Sequence, residues 1–520
     1  MKQIEIYDTT LRDGAQTEGI SLSLEDKIKV ALRLDAFGVH YVEGGWPGSN
    51  VKDAEFFKEI KKHKLKNTVI VAFGSTRRAN QKAKDDSNLK SLIEAKTSAV
   101  TIFGKSWDFH VTEVFRTTLK ENLAMIEDSV SFLKSKKKQV IYDAEHFFDG
   151  YRQNPEYAIQ TIQEAEKAGA DRIVLCDTNG GSLPHFVGEV VKHVTSVIGV
   201  PVGIHCHNDM ELAVANSIAA VGNGATHVQG TINGYGERTG NANLVSIMPI
   251  LQFKMNYKVV AEKKLIELTQ LSRYIAEICN MPIISNQPFV GRSNFAHKAG
   301  VHVNAMVKNS HTYEHIDPAK IGNERRFLIS ELSGKSNVLL KSDQLKIKLD
   351  KDSPLTTEIL KKIRDLEKEG YQFEAAEASF ELLMRKMTGK YKKSFDFCGF
   401  RVIDEITSDH LNVSVATVRI RVGKEEEFTA AEGDGPVNAL DRALRKALIK
   451  FYPVLRDIHL TDYKVRVINS QAGTGARVRV FIQFSDASNR WSTVGVSENV
   501  IEASWLALVD AIEYKLMKSE

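Results

Sequence analysis

Val202-Gly203-Ile204-His205-Cys206-His207-Asn208-Asp209 is an apolar run that turns abruptly into histidines and other polar side chains. The apolar residues predict a buried β-strand that ends near His205. Because side chains alternate between the two faces of a strand, His205 and His207 should point to the same side. Two imidazoles on one face form half of a metal site, although two hydrogen-bonded histidines at a strand end would give the same pattern.

Seven other strand-like runs recur along the first half of the chain, with helical periodicity between them. Together with the run above they are Ile4–Tyr7, His40–Glu43, Thr68–Phe73, Ala99–Phe103, Gln139–Tyr142, Arg172–Cys176, Val202–His205 and Thr226–Gln229. The first spacer has clear helix signals, because Ser23 is a good N-cap and Gly38 a good terminator. Repeated strand–helix units imply parallel crossovers, so eight of them predict an α/β fold, a TIM (β/α)8 barrel. A doubly wound open sheet is the alternative, but no GxGxxG follows the first strand.

Polar side chains gather at the C-terminal ends of these predicted strands, where the active sites of barrels form. They are Asp8, Arg12 and Asp13 after strand one, Glu43 at strand two, Glu145 after strand five, Asp177 and Thr178 at strand six, the two histidines at strand seven and Asn241 after strand eight. Such a one-sided distribution favours the barrel and predicts that these residues share a site.

The bulk composition narrows the class of protein. Hydrophobic residues make up 42% of the 520 positions, charged residues 26%, and the net charge is +4, as in ordinary globular proteins. The lysine runs lack interleaved aromatic residues, which argues against binding to nucleic acid. No apolar run reaches membrane-spanning length and no signal peptide precedes the first strand, so we expect no membrane association and a cytoplasmic location. Four scattered cysteines without CxxC fit a reducing compartment.

The chain is too long for one core, and its rhythm changes near residue 255. We expect a catalytic barrel over 1–255, helical linker subdomains over 256–391 and a C-terminal α+β domain over 392–520. In the last of these, the alternation predicts strands at Leu411–Val422, Tyr463–Ile468 and Ala476–Phe484, and helices at Pro436–Lys450 and Val500–Met517.

Three motifs, in order, resemble the 2-isopropylmalate synthase/homocitrate synthase/citramalate synthase family. They are Tyr7-Asp8-Thr9-Thr10-Leu11-Arg12-Asp13-Gly14-Ala15-Gln16, the run from His205 to Asp209, and Asn233-Gly234-Tyr235-Gly236-Glu237-Arg238-Thr239-Gly240-Asn241. The resemblance covers essentially the whole chain, and the segments 43–50 and 142–151 look most like the citramalate synthase branch. It implies a metal-dependent barrel acyltransferase that condenses acetyl-CoA with a 2-oxo acid. In that branch the oxo acid is pyruvate, on the threonine-independent route to isoleucine.

The proposed ligand set of Asp13, His205, His207 and Asn241 offers one carboxylate, two imidazoles and an amide oxygen. It leaves two octahedral positions for the oxygens of a 2-oxo acid; Mg²⁺ or Mn²⁺ suits it best, and Zn²⁺ or Co²⁺ also fit. Arg12 would stabilise the developing alkoxide. The resemblance assigns the substrate carboxylate to Thr178, which as a helix N-cap would have an ordinary structural role.

The resemblance also implies a proton-transfer group. Glu145 lies at the family's catalytic glutamate position, and His302 and Tyr313 match a histidine and a tyrosine that the family contributes from the partner subunit. We treat the three as a unit, without assigning the base among them.

Large side chains are predicted at the ends of three barrel strands: Phe73, Phe103 and Tyr142. They would narrow the substrate pocket and favour pyruvate over branched oxo acids, unless they are ordinary core residues. The C-terminal domain resembles the family's dimeric amino-acid sensor, with glycine-rich turns at 433–436 and 471–476 that suit a carboxylate. We expect a homodimer or higher oligomer, with isoleucine as the feedback inhibitor.

Other functions remain open at this point. A 2-isopropylmalate or homocitrate synthase would use the same chemistry on a larger oxo acid. A lyase on the same barrel is disfavoured by the sensor-like domain. A catalytically silent, amino-acid-binding regulator would have no need of Arg12, Glu145 and the ligand set.

Overall fold

The computed structural model describes residues 2–328, 335–350, 352–406, 412–487 and 489–519. The chain forms two compact units. The first comprises Met1–Phe295 with Ile316–Glu324, and the second comprises Ala296–His315 with Arg325–Glu520. Within the described part of the chain, no helix is both long and apolar enough to span a membrane.

The first unit contains eight parallel strands that close into a barrel in sequence order. They are Glu5–Asp8 (β1), Tyr41–Gly45 (β2), Val69–Ser75 (β3), Ala99–Lys105 (β4), Gln139–Glu145 (β5), Arg172–Asp177 (β6), Val202–Cys206 (β7) and His227–Gly230 (β8). Pairing of β8 with β1 closes the ring and leaves no edge. The predicted TIM barrel is therefore confirmed, and the open sheet was the wrong alternative.

Helices cover the outside of the barrel. They are Leu24–Phe37 (α1), Val51–Glu59 (α2), Ser87–Glu94 (α3), Leu119–Ser135 (α4), Phe147–Gln153 (α5), Pro155–Lys167 (α6), Pro184–Val197 (α7), Ala213–Gly222 (α8), Leu244–Phe253 (α9), Glu262–Leu265 (α10) and Leu268–Ile278 (α11). The signals predicted for α1 are present: Ser23 and Asp26 form a reciprocal capping box, and Gly38 ends the helix with φ of 97°. A residue with a Cβ would be strained at that φ.

Strand alternation divides the side chains of the barrel into two layers. An inner cluster of Tyr7, Tyr41, Val71, Ala99, Ile141, Val174 and Cys176 fills the barrel. The alternate positions pack outward against the helices, where burial of each large apolar side chain contributes about 1.5–3 kcal/mol. On β5, Ile141 lies in the inner cluster and Tyr142 in the outer one. The period of two therefore decides which residues of a strand can reach a site inside the barrel mouth.

The second unit begins with small elements and ends in two similar antiparallel layers. Its elements are Ala296–His297 (β9), Gly300–Lys308 (α12), Arg326–Phe327 (β10), Lys335–Gln344 (α13), Pro354–Glu369 (α14), Glu377–Met387 (α15), Asp396–Ile406 (β11), Asn412–Val422 (β12), Glu425–Gly433 (β13), Pro436–Ile449 (α16), His459–Val467 (β14), Val478–Ser485 (β15), Arg490–Ser497 (β16) and Val500–Ser519 (α17).

Each layer has three strands followed by one helix, and the two helices share a core with both sheets. The predicted α+β class is confirmed, as are strands β12, β14 and β15 and both helices. Leu411, predicted to begin β12, lies outside the described residues. Strands β11, β13 and β16 were not identified individually, and β13 shows why: its start, Glu425-Glu426-Glu427, is charged and largely exposed.

Candidate active site

Three ligand-type side chains converge at the C-terminal mouth of the barrel. Asp13 follows β1, and His205 and His207 lie at the end of β7. His205 Nε2 lies 3.4 Å from Asp13 Oδ2 and 3.4 Å from His207 Nε2, and all three side chains are buried. The ligand atoms of the three residues lie within 4.8 Å of one another. The strand alternation that places both imidazoles on one face is thus present.

The hydrogen bonds of His205 fix which ring nitrogen faces this cluster. Its Nδ1 lies 2.9 Å from Oε1 of Gln229, an oxygen that can only accept, so Nδ1–H donates there. Gln229 in turn donates from Nε2 to Asp143 Oδ1 at 3.0 Å. The lone pair of His205 Nε2 therefore faces the carboxylate of Asp13. Two acceptors at 3.4 Å repel each other unless a cation lies between them, so the arrangement fits a metal ion.

The protonation states of His205, His207 and Asp13 also suit the binding of a metal ion. Burial lowers the pKa of His205 to about 4, against the opposing charge of Asp13, and burial also lowers the pKa of His207. Burial alone would raise the pKa of Asp13, but the charge of Arg12, the two neighbouring histidines and a hydrogen bond from Asn241 together outweigh burial, so the pKa is lowered. At neutral pH the cluster therefore presents two neutral imidazoles and one carboxylate, the forms that bind a metal ion.

Asn241 adds an oxygen beside the cluster. It pairs in an isolated bridge with His207, and it is 1% exposed. Its Oδ1 is buried and has no hydrogen-bond partner among the residues that the structure describes. A buried amide oxygen without a partner costs free energy, and a metal ion bound to this oxygen would remove that cost. The donor set of one carboxylate, two imidazoles and one amide oxygen fits a hard or borderline divalent ion.

Arg12 is held next to the cluster by two carboxylates and a ring. Its Nε donates to Glu43 Oε1 at 2.5 Å, and its Nη1 lies 3.5 Å from Asp13 Oδ2. The guanidinium lies 3.8 Å from the centroid of the Phe73 ring. Glu43 is completely buried and also accepts a hydrogen bond from the Tyr7 hydroxyl at 2.5 Å. A fixed, charged donor therefore points at the space above the ligand cluster.

Glu145 lies on the other side of the same mouth, as the last residue of β5. It is paired in register with Lys105, the last residue of β4, and the two side chains form an ion pair. The carboxylate is 24% exposed, whereas the ammonium is nearly buried. Glu145 can therefore reach the space in front of the cluster while a cation contacts it from the strand beside it.

A cavity of about 230 Å³ joins these groups. Its lining includes Arg12, Asp13, Gln16, Trp46, Phe73, Phe103, Asp143, Glu145, Cys176, Thr178, His205, His207, Glu237 and Arg238. The volume suits a small organic acid, and the lining combines two arginines and four acidic side chains with an aromatic wall. Such a cavity can polarise a carbonyl group, remove a proton and bind a carboxylate.

The aromatic wall contains two of the three predicted pocket residues. The rings of Phe73 and Phe103 stack at 5.6 Å, and Trp46 meets each edge-on at 5.7 Å. Tyr142 does not belong to this wall, so its assignment to the pocket was wrong. It occupies an outward position of β5 and packs in the layer between barrel and helices, while the neighbouring Asp143 lines the cavity. Trp46 was missed because it follows β2 in a loop, where no periodicity marks its direction.

Thr178 lines the cavity just beyond β6. Its Oγ1 accepts a hydrogen bond from the backbone N–H of His146 at 2.9 Å, and its carbonyl accepts one from Arg238 at 2.8 Å. It is not the N-cap of α7, because that helix begins later, after Leu183. The N-cap alternative for Thr178 is therefore absent, although its hydroxyl does bind the backbone at His146.

His302 and Tyr313 belong to the second unit. Their rings stack at 4.2 Å with 28° between the planes, and both side chains are exposed. His302 lies on α12, and Tyr313 follows a short helical turn. The two residues predicted to act together therefore do lie together, on the surface of their unit.

The closed barrel with a buried Asp/His cluster defines the class of protein. Residues 3–275 match the HMGL-like family, so the chain belongs to that family. Residues 289–370 match the "homocitrate synthase post-HMGL domain-like" family, and residues 374–516 match the LeuA allosteric (dimerisation) domain.

Curated relatives narrow the class further. The chain is 56% identical over 521 residues to the (R)-citramalate synthase of Aquifex aeolicus (strain VF5), covering 100% of this chain and 99% of the relative. It is 54% identical, with the same coverage, to the (R)-citramalate synthase of Geobacter sulfurreducens. Identity to the 2-isopropylmalate synthase of Methanocaldococcus jannaschii is 32%, over 100% of this chain and 96% of the relative.

Proposed function

We propose that this chain condenses acetyl-CoA with pyruvate and hydrolyses the resulting thioester, giving (R)-citramalate and free CoA. The observation that carries the proposal is the single cavity that joins the Asp/His cluster, Arg12 and Glu145. The identities of 56% and 54% to (R)-citramalate synthases, against 32% to a 2-isopropylmalate synthase, support the choice of oxo acid. The stacked rings of Phe73 and Phe103 support it further, because they place two large side chains in the wall of the cavity.

Binding of pyruvate would use both polar sides of the cavity. Asp13, His205, His207 and Asn241 would hold a divalent ion, Mg²⁺ or Mn²⁺ by preference, which would act as a Lewis acid on the ketone. The hydroxyl of Thr178 would donate to the pyruvate carboxylate. Arg12 would donate to the ketone oxygen, where its fixed guanidinium stabilises the negative charge that develops during attack.

Carbon–carbon bond formation needs a proton acceptor for the acetyl group. We assign this role to Glu145, a carboxylate that lines the cavity opposite Arg12. It would remove a methyl proton from acetyl-CoA, and the resulting enolate carbon would attack the ketone carbon of pyruvate. Water would then cleave the thioester C–S bond, releasing the CoA thiol and making the overall reaction effectively irreversible. His302 and Tyr313 would assist these proton transfers from a partner subunit.

The acetyl-CoA chain would enter through a neighbouring cavity of about 450 Å³. Its lining shares Arg12, Gln16 and Trp46 with the smaller cavity, so the two adjoin at the barrel mouth. A long, flexible thioester could therefore place its acetyl group near Glu145 while the rest of the molecule extends toward the surface.

We propose further that residues 392–520 pair two copies of the chain and bind isoleucine as a feedback inhibitor. The match to the LeuA allosteric (dimerisation) domain supports this role. The N-terminus of α16 after Gly435 offers backbone donors to an amino-acid carboxylate. Calorimetric titration of the full-length protein with isoleucine should give saturable binding; heats equal to those of dilution would remove the effector from the proposal.

Identification of the reaction product tests the proposed condensation. Purified protein with acetyl-CoA, pyruvate and Mg²⁺ or Mn²⁺ should form citramalate, and chiral chromatography should resolve it as the R form. Formation of no citramalate under these conditions would contradict the proposed function.

A further inference from the structure

Lys105 and Glu145 lie side by side at the C-terminal ends of two neighbouring barrel strands. Their Cα atoms are partners in the parallel register of β4 and β5, and their side chains form an ion pair. Only the carboxylate lies in the lining of the 230 Å³ cavity. Lys105 is 7% exposed, so the ammonium contacts Glu145 from outside the cavity.

Two aromatic rings and a buried hydrogen bond to its backbone fix the position of Lys105. Its Nζ lies 5.5 Å from the centroid of Phe103 and 5.4 Å from that of Phe115. Asn122, buried on α4, donates from Nδ2 to the Lys105 carbonyl at 2.8 Å. A buried ammonium is costly unless it is paired, and a purely structural site would be met more cheaply by an apolar side chain.

We propose that Lys105 is a positioning residue that holds the carboxylate of Glu145 toward the cavity through their ion pair. The inference rests on the proposed function, in which Glu145 takes a proton from acetyl-CoA. Because the ammonium does not line the cavity, it acts through Glu145 and does not touch the substrate. A base that is already oriented loses less free energy in reaching the transition state.

Several other titratable groups surround Glu145. They are His110 in a short helical segment after β4, Tyr142 on β5, Cys176 on β6, and His146 and Asp149 at the start of α5. Burial lowers the pKa of His110 to about 4, and burial raises the pKa values of Tyr142 and Cys176. Asp149 bonds to His146 and Asn179, and Arg12 across the cavity is engaged by Glu43. Among the residues that the structure describes, Lys105 is therefore the cation that contacts Glu145 directly.

The pH dependence of kcat/KM for acetyl-CoA tests the inference, with Lys105→Met, Lys105→Gln and Lys105→Arg compared in the full-length protein. Loss of an adjacent opposite charge raises the pKa of a carboxyl group, by about 1–3 units in comparable pairs. The acidic limb of the profile should therefore move upward by at least about one unit in the Met and Gln variants, lowering kcat/KM about tenfold per unit below the limb. Lys105→Arg should keep the wild-type limb, because the charge remains.

Lys134→Met is the matched control. Its ammonium pairs with Asp171 at 2.8 Å, just before β6 begins and so at the opposite end of the barrel. This variant should lose stability without moving the limb. If Lys105→Met does not fold, Lys105→Gln decides in the same way, since its amide can still donate to Glu145 but carries no charge.

Two results would overturn the inference in distinguishable ways. A folded neutral variant at Lys105 with the wild-type limb would show that the ion pair is structural, while the proposed function would stand. Full turnover by Glu145→Gln would show that Glu145 is not the base, and the inference would fall with that assignment.

Discussion

Glu43 accepts a hydrogen bond of 2.5 Å from Nε of Arg12 and contributes no atom to the lining of the cavity beside it. This completely buried carboxylate holds a cation that does line the cavity. Glu43→Gln should therefore lower kcat about tenfold to a hundredfold with a smaller change in KM for pyruvate, because a misdirected guanidinium loses mainly its transition-state interaction. Steady-state kinetics measure both constants. Wild-type kcat in Glu43→Gln would show that Arg12 needs no such support.

Asn241 should bind the metal ion rather than stabilise the fold. Its Oδ1 is buried without a partner in the described chain, whereas its Nδ2 donates to the Tyr235 carbonyl at 3.3 Å, so Asn241→Ala loses one long hydrogen bond, removes an unsatisfied atom and should lower the apo thermal midpoint only slightly. Mn²⁺ affinity, measured by calorimetry, should fall about tenfold to a hundredfold. Asn216 on α8 also has a buried Oδ1 without a partner there, and Asn216→Ala should leave the Mn²⁺ affinity unchanged. Equal affinities for Asn241→Ala and the wild type would remove Asn241 from the ligand set.

Oxo-acid preference should depend on Phe103. Phe103→Ala opens the aromatic wall without removing the ring under Arg12, which belongs to Phe73. The ratio of kcat/KM for pyruvate to that for 2-oxoisovalerate should fall about tenfold or more, the usual effect of a few methylene-sized contacts. Phe73→Ala should lower the same ratio and also reduce kcat. Tyr142→Phe, which changes a side chain on the outer layer, is the control. An unchanged ratio in both alanine variants would refute the role of the wall.

Acid stability should depend on Glu5 at the N-terminal end of β1. Burial alone would raise its pKa, but hydrogen bonds with His227 and Arg172 outweigh it and lower the pKa to about 2. Since this lies below the ordinary value of 4.5, the ionised group stabilises the fold fully above pH 4.5, and the contribution is lost as the pH falls toward 2. Allowing for screening of a partly exposed group, Glu5→Gln should cost about 2 kcal/mol at pH 7.

Thermal unfolding between pH 7 and pH 2.5 measures that contribution. The midpoints of wild type and Glu5→Gln should differ at neutral pH and converge as the pH approaches 2.5. A difference that stays constant across this range would mean that the carboxylate charge of Glu5 contributes nothing and that packing alone explains the loss.

Much of the fold could be predicted from the sequence because the barrel repeats one simple pattern. Each strand is an apolar run, each helix has a period near 3.6, and signals such as Ser23 and Gly38 mark the boundaries. Strands such as β13 lack that pattern, because one face of the C-terminal sheet carries charges in water. Their pairing depends on neighbours that are distant in the sequence.

The site residues also divide into those that the sequence pattern predicts and those that depend on contacts distant in the sequence. The approach of Asp13 to His205 followed from the C-terminal strand ends meeting at one end of a parallel barrel. Tyr142 was misplaced because the period of two fixes a side chain's face only when the phase of the strand is known, and Asp143 has the inward position. Lys105 was not identified because its importance arises from the register of β4 against β5, which no local pattern encodes.

Release of free CoA, measured with a thiol reagent, tests the central claim most directly. The protein with acetyl-CoA and Mn²⁺ would be offered pyruvate, 2-oxobutyrate, 2-oxoisovalerate and 2-oxoglutarate separately, with and without a chelator. The account predicts the fastest release with pyruvate, abolished by the chelator and by Asp13→Ala. Fastest release with 2-oxoisovalerate would keep the mechanism and contradict the substrate. No release with any oxo acid would contradict the proposed condensation itself.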